Sequence, residues 1–432
     1  MEKVKYLILG AGPSGLTLAN RLKELGETDF LLLEKEEEAG GLCRSVMVDG
    51  SPFDIGGGHF LDVRRPQVNE FLFQFMPEEE WQLFTRDSRI WVDGAEIGHP
   101  LEANIWQLDL QEQVAYLTSI AKAGCNLDQP MPTRFVKWMV WKLGQRIADH
   151  YMLPYNQKMF ADELDELGTY WLEKLPDVSF EETLLSCLTH KPYGTQPGHA
   201  AFYYPKKYGY GEVWIRMSGE ISSRVLYGME ARVLNCENRS VKMKTGEVFE
   251  GEYVITTVPW RSFEQIVGLP EEISDLVSEI KSSAVEVRYV PKHLSTAAQW
   301  IYEPDLQVPW HRILVRHNFC PGSRGYWLET RKERIEMFGD AAINLPGIAD
   351  HDAQEMGKAC ARNSGNGADF RYLNEYAYPL NTIGKPEAMR KLLAFCKSRQ
   401  IYGLGRWGEH CHYNSDVVVD LAMQLASQLM IV

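Results

Sequence analysis

The chain has 432 residues, 45% hydrophobic and 24% charged, the composition of an ordinary globular protein and not of a disordered, collagen-like or coiled-coil chain. Its 45 lysines and arginines against 59 aspartates and glutamates give a formal charge of −14, which repels phosphate backbones and argues against a general nucleic-acid binder. The length suggests about two to three domains, and aromatic residues at 11% are enough for a large core.

Taken in chain order, Lys5-Tyr-Leu-Ile-Leu9 reads as a short buried parallel strand. It runs into Gly10-Ala-Gly12-Pro13-Ser14-Gly15, and Leu16 to Leu25 then carries apolar residues at helical spacing. A second apolar run, Phe30 to Leu33, ends in Glu34. This is a β-α-β unit with dinucleotide glycines: Gly10 for the tight turn, Gly12 for approach of a pyrophosphate, Gly15 for close packing of helix on strand. The phosphates would sit on free N–H groups at the helix start, and Glu34 lies where a carboxylate accepts ribose hydroxyls. A glycine turn without a nucleotide is the plainer reading of the motif alone; strand, helix, second strand and acid together favour the nucleotide. A second cluster, Asp54-Ile-Gly56-Gly57-Gly58-His59, can bring bare backbone and one imidazole to a cofactor ring, although His59 alone reads equally as a loop histidine.

Residues 100 to 190 look helical, with apolar stripes through Trp106–Ile120 and Phe135–Ile147 whose simplest role is packing. Residues 228 to 259 look like β structure, with a hairpin through Lys244-Thr-Gly246, and residues 286 to 330 show strand alternation again. A last helix is expected from about Val417 to Leu429, with Asn414 and Ser415 as candidate N-caps. The fold class expected is α/β: a Rossmann-like domain with interleaved helical and antiparallel-sheet substrate segments. Its parts are residues 1–85, 201–265 and 386–432 for the cofactor, 86–200 for a mainly helical substrate segment, and 266–385 for an antiparallel-sheet substrate segment. The eight cysteines (Cys43, Cys125, Cys187, Cys236, Cys320, Cys360, Cys396 and Cys411) stand singly without a C-x-x-C pair. That spacing suits neither a zinc site nor a disulfide framework, and fits a reducing compartment. A strand begins within a few residues of Met1, leaving no room for a signal peptide. No apolar run approaches the ~20 residues of a membrane span. A cytoplasmic protein with no metal, membrane span or nucleic-acid partner is expected, with oligomerisation left open.

After Glu34 come Lys35, the pair Gly40-Gly41, Leu42 and Arg44, which resemble the extended FAD fingerprint of amine-oxidase and glutathione-reductase-like flavoproteins. Five further stretches resemble UDP-galactopyranose mutase, nearer the eukaryotic type. They are Pro154-Tyr155-Asn156-Gln-Lys-Met-Phe160 with Tyr170-Trp171-Leu-Glu-Lys174; Tyr204-Pro205-Lys206-Lys-Tyr-Gly209-Tyr-Gly211-Glu-Val-Trp214; Pro309-Trp-His-Arg312 through Asn318; Tyr378-Pro379 through Gly384; and Gly405-Arg406-Trp-Gly408 followed by Tyr413-Asn414. They run in the family's order along nearly the whole chain, and their joint order carries the resemblance.

The resemblance implies FAD, active when reduced, with NAD(P)H as a candidate external reductant and a nucleotide sugar as substrate. It implies catalytic roles for Arg312, Arg406 and His59. It implies cofactor contacts from Gly10, Gly12, Pro13, Ser14, Gly15, Glu34, Lys35, Gly41, Leu42, Arg44, Gly57, Gly58, His59, Val233, Gly405, Arg406, Tyr413, Asn414 and Ser415. For the substrate it implies Tyr151, Tyr155, Asn156, Phe160, Lys174, Tyr204, Arg312, His412 and Tyr413. Guanidinium forks suit a diphosphate, and Tyr151 and Tyr155, four apart, can stack or edge against a uracil if their segment is helical. Lys174 stands where the family usually has an arginine, and His412 where it has a phosphate-binding tyrosine. One more glycine than in the eukaryotic pattern precedes His59. Two other readings use the same scaffold: an FAD oxidoreductase of the amine-oxidase or protoporphyrinogen-oxidase type, and a non-catalytic flavin- or nucleotide-binding module.

Overall fold

The computed structural model describes residues 2–124, 126, 128–172, 178–194, 200–320, 322–339 and 370–431. Strand β1 (Glu2–Leu9) is the axis of an eight-stranded sheet. It pairs in parallel with Val248–Thr256 on one side and with β2 (Phe30–Leu33) on the other. Tyr6, Leu7, Ile8 and Leu9 have no exposed surface, as a central strand covered on both faces requires. Between β1 and β2 the chain turns at Gly10 and enters helix α1 (Pro13–Glu24) with proline in its first turn. Gly12 occupies the N-cap and offers no side chain to the first amides, which stay available to a ligand. Gly10 has φ +100°, and a Cβ on Gly15 would lie 2.0 Å from the Gly10 carbonyl oxygen. Only glycine fits either position.

The same sheet takes in Val225–Leu226, Ala231–Asn235, Ser240–Met243, Gln265–Val267 and, beside Val248–Thr256, Ile401–Gly403. The expected hairpin through Gly246 (φ +104°) joins Ser240–Met243 to Val248–Thr256. The last helix, Ser415–Ile431, begins two residues earlier than expected. It packs Val419, Ala422, Ala426 and Leu429 into the core that also holds Leu16, Leu18 and Ala19 of α1. Tyr6 donates a hydrogen bond to the Leu429 carbonyl at 3.2 Å.

A second, seven-stranded sheet runs Arg371–Pro379, Ser282–Val290, Tyr326–Arg331, Arg312–Leu314, Trp300–Tyr302, Ser88–Val92, Ala95–Gly98. Every neighbouring pair is antiparallel except Trp300–Tyr302 beside Ser88–Val92. Its last two strands come from the segment expected to be mainly helical, where helices begin only at Leu101. The alternation is short and closed by the turn at Asp93-Gly94, so the helical stripes that follow mask it. Leu110–Gly124, Phe135–Leu143, Leu153–Met159 and Phe180–Thr189 then form the helical layer. A π-helical turn, Ala148–Met152, precedes Pro154; proline has no N–H for the i→i−4 ladder, and the widened turn accommodates it. No helix among the described residues is long and apolar enough to cross a membrane.

Between the two sheets lies a buried ion pair. Arg316 and Asp54 have no exposed side-chain surface and stand 3.4 Å apart. The guanidinium is enclosed by Trp327, Tyr204 and Phe319, with ring centroids 3.9, 4.5 and 4.5 Å away. Asp54 also accepts hydrogen bonds from Ser45 (2.5 Å), the Tyr204 hydroxyl (2.8 Å) and the Tyr210 amide (3.2 Å). This pair fixes the start of the glycine segment that ends at His59. Removing one partner of a buried pair typically costs about 3–5 kcal/mol. Arg316→Met is therefore expected to lower the urea unfolding free energy by about that amount; a change below about 1 kcal/mol would show that the pair does not hold this junction.

Candidate functional site

A cavity of about 720 Å³ opens along the carboxyl ends of β1 and β2, within the range of about 300–1,000 Å³ usual for small-molecule and cofactor sites. Gly10, Gly12, Pro13, Ser14, Glu34, Lys35, Gly41, Leu42, Arg44, His59, Arg406, Tyr413, Asn414 and Ser415 all line it. The sequence had singled out each of these, and they arrive from four separate stretches of chain. Glu34 is buried; its Oε2 accepts the Ala11 amide at 2.6 Å and its Oε1 the Glu36 amide at 3.0 Å. Burial raises its pKa, and the two amides act against that rise. Arg44 donates to the Tyr372 hydroxyl at 2.6 Å and pairs with Glu36 at 3.2 Å. Tyr372, Tyr376 and Trp407 add aromatic wall.

A smaller cavity of about 210 Å³ adjoins it, lined among others by Phe60, Arg86, Met159, Tyr302, Arg312, Tyr378 and His412. Six residues line both: Leu42, His59, Asn374, Arg406, Asn414 and Ser415. They form a common wall, so a ligand filling the large cavity meets one in the small cavity there. Arg406 donates from Nε and Nη2 to the Tyr413 carbonyl (2.9 and 2.7 Å) and from Nη1 to that of Ala377 (3.1 Å). Those contacts aim the guanidinium and use three of its five N–H groups. His59 has a buried Nδ1 without a hydrogen-bond partner among the described residues. Burial, with help from the nearby Arg406 and Arg312 charges, lowers its pKa to about 3, so the ring is neutral at pH 7. An orphaned polar atom at the junction, beside a glycine turn able to take phosphates, fits a dinucleotide cofactor with its reactive end at the common wall.

Arg312 is held by Glu329, a residue for which sequence reasoning had no signal. Glu329 Oε2 accepts from Arg312 Nε at 2.7 Å and Nη2 at 2.5 Å, while Oε1 accepts the Gly58 amide at 3.1 Å. His311 Nε2 lies 3.4 Å from the same carboxylate. Gly57 has φ +85°, and a Cβ there would lie 2.0 Å from Glu329 Oε1, so the extra glycine before His59 makes room for this carboxylate. Arg312 also donates to the Tyr378 hydroxyl at 3.2 Å. Arg86, Tyr302 and Asn374 are further cavity residues that the sequence reading did not select, and Tyr378, noted there only within a motif, lines the small cavity too.

Other expected contacts lie elsewhere. Tyr151 and Tyr155 are tilted ring on ring at 5.7 Å, but both are buried in an apolar cluster and line neither cavity. The helical spacing that lets them meet places both rings in this cluster. Asn156 is buried and donates to the Met152 carbonyl at 2.7 Å, closing its own turn. Phe160 packs against Trp171, Tyr378 and His412, one layer behind the small cavity. Tyr204 is committed to Asp54 and Arg316. Val233 lines neither cavity, although Ala231 and Arg232 line the large one. Gly15, Gly57 and Gly405 shape the backbone from behind; a Cβ on Gly405 would lie 2.1 Å from Ser14 Oγ. Lys174 lies outside the described residues. Among those described, no group of three or more His, Cys, Asp or Glu is arranged to hold a metal ion.

Residues 8–75 match the model of the NAD(P)-binding Rossmann-like domain. Over the full length, a solved structure of reduced UDP-galactopyranose mutase superposes with a TM-score of 0.84 at 23% identity, covering 99% of this chain and 95% of the other. The chain has the fold of that mutase. Putrescine oxidase with bound putrescine shares the broader architecture, at a TM-score of 0.62 and 13% identity, over 100% of this chain and 99% of the other. Curated relatives match shorter pieces. An FAD-binding monooxygenase of Aspergillus terreus is 29% identical over 196 residues, 44% of this chain and 29% of its own length. Coproporphyrinogen III oxidase of Mycobacterium leprae is 36% identical over 91 residues, 21% of this chain and 20% of its own. The chain therefore spans less than a third of either relative.

Burial alone would raise the pKa of Glu329, but Arg312 and His311 outweigh it and hold the value at about 2. A depressed carboxylate contributes stability that is present above its unfolded value of about 4.3 and lost as pH falls through about 2, here about 3 kcal/mol. The difference in urea unfolding free energy between the parent and Glu329→Gln should therefore shrink on going from pH 7 toward pH about 2. A difference independent of pH would mean that the Glu329 charge is not what Arg312 engages.

Proposed function

We propose that this protein is an FAD enzyme that interconverts the pyranose and furanose forms of a nucleoside-diphosphate sugar, with its flavin reduced. The observation that carries the reading is the common wall: a cavity lined by the Gly10–Ser14 turn and Glu34 shares His59, Arg406 and Asn414 with a second, arginine-lined cavity. Likeness of the whole fold to the mutase supports it. Reduced FAD, when bound, supplies an electron-rich nitrogen as nucleophile toward an anomeric carbon. The chain's own residues bind and orient. The turn from Gly10 to Ser14 and the open start of α1 receive the pyrophosphate, with Arg44 nearby to offset its charge. Arg406 and Arg312 direct N–H groups at the diphosphate that must leave the sugar, and stabilise its charge as the bond breaks. Neutral His59 offers Nδ1 as a hydrogen-bond acceptor or proton relay at the wall. Phe60, Met159 and Val285 exclude water from the sugar. Tyr302 and Tyr378 contribute hydroxyls.

A second reading, an FAD-dependent oxidoreductase, is favoured by the names of the sequence relatives, a monooxygenase and an oxidase. Such an enzyme starts from oxidised flavin, is bleached by its substrate and consumes oxygen in proportion to product. The two readings therefore separate on redox state. We expect the purified protein to be yellow with non-covalent FAD, and to form furanose product only after reduction by dithionite or NAD(P)H, with oxygen uptake uncoupled from turnover. Stoichiometric oxidation of substrate by oxidised enzyme, with no furanose from any nucleotide sugar tested, would transfer the assignment to the oxidoreductase. Arg312→Ala and Arg406→Ala should each weaken nucleotide-sugar binding about ten- to a hundredfold, the worth of one charge-assisted contact of about 1.5–3 kcal/mol. Unchanged UDP affinity in both variants would remove the diphosphate from this cavity.

A further inference from the structure

The small cavity holds a third guanidinium. Arg86 follows the Trp81–Thr85 strand and lies over the Trp300 ring, 4.8 Å from its centroid, with Phe60 on another side at 5.5 Å. Its Nε donates to Ser88 Oγ at 2.7 Å and its Nη2 to the Tyr302 hydroxyl at 2.8 Å. These contacts fix the plane of the group and use two of its five N–H donors.

Charge matching gives this arginine its meaning. Arg312 is offset by Glu329, and the lining carboxylate Asp416 by Arg65. His59 is neutral at pH 7. That leaves Arg406 and Arg86 as lining guanidiniums with no ion-pair carboxylate among the described residues. Arg406 spends donors on carbonyl oxygens, which orient it without offsetting its charge. Two fixed positive charges in a partly enclosed site are stabilised by a ligand that brings two negative ones. The diphosphate of a nucleoside-diphosphate sugar does so. Tyr302, whose hydroxyl receives Arg86, pairs across strands with Arg312, so the three groups share one wall.

We infer that Arg86 is a binding residue for the substrate's diphosphate, supplying with Arg406 the net charge that Arg312, matched by Glu329, does not. The inference rests on the proposed function only in naming the diphosphate's carrier as a nucleotide sugar. The test measures dissociation constants of uridine, UDP, inorganic pyrophosphate and UDP-galactose by calorimetry on the FAD-loaded parent, Arg86→Met and Arg86→Lys. Arg86→Met should bind UDP, UDP-galactose and pyrophosphate at least tenfold more weakly with uridine unchanged, and Arg86→Lys should recover part of the loss. Binding of UDP and pyrophosphate by Arg86→Met at parental strength overturns the inference. So does an equal loss for uridine, or a parent that binds no anion. If the parent binds pyrophosphate in this Arg86-dependent way yet ignores uridine and its nucleotides, Arg86 stands as an anion-binding residue and the nucleotide-sugar reading falls.

Discussion

Glu329 carries a charge at a position with 1% of its side chain exposed. An ion taken that far from water costs several kcal/mol unless its oxygens are fully engaged, and three parts of the fold converge to engage them. The neighbouring strand brings Arg312 and His311, the glycine segment brings the Gly58 amide, and Gly57 clears the space. One carboxylate thereby joins the seven-stranded sheet to the segment bearing His59. The distance between the two cavities, and so the meeting of their contents, depends on that joint and on the Asp54–Arg316 pair beneath it.

The division of labour between the sheets follows from their chemistry. The central parallel strands of the eight-stranded sheet are apolar on both faces, and β1 runs into the Gly10 turn. It presents N–H groups and shape to a dinucleotide but little charge. The second sheet is antiparallel but for one pair, and carries Arg312 and Tyr302 on short strands and Tyr378 near the end of a longer one, all lining the small cavity. The glycine-lined and arginine-lined parts of the site can therefore vary separately on one scaffold. A mutase and an amine oxidase sharing this architecture is consistent with that separation.

The cofactor half of the site was legible because its requirements are local. A turn that needs φ +100° at Gly10, a helix packed onto Gly15 and an acid at the end of β2 lie within about one β-α-β unit. The arginine-lined half was only partly legible because its residues meet through strand pairing. Glu329 sits in Tyr326–Arg331, where all six residues are buried, so nothing in the alternation marks it as facing a site. Arg86 follows a strand edge with no motif around it, and its role emerges only from Trp300 and Tyr302, more than two hundred residues away. Tyr151 and Tyr155 show the opposite difficulty: their spacing and aromatic character suit a base-stacking platform and core packing alike, and both are buried in an apolar cluster.

The claim on which the account turns is that a ligand in the arginine cavity touches the reactive end of a flavin in the dinucleotide cavity. Titrating UDP into FAD-loaded, oxidised protein, with heat and flavin absorbance recorded on the same samples, tests it most directly. The account predicts a saturable perturbation of the flavin spectrum with the dissociation constant that calorimetry gives. Saturable UDP binding that leaves the flavin spectrum untouched, or a protein that takes up no FAD, would contradict it.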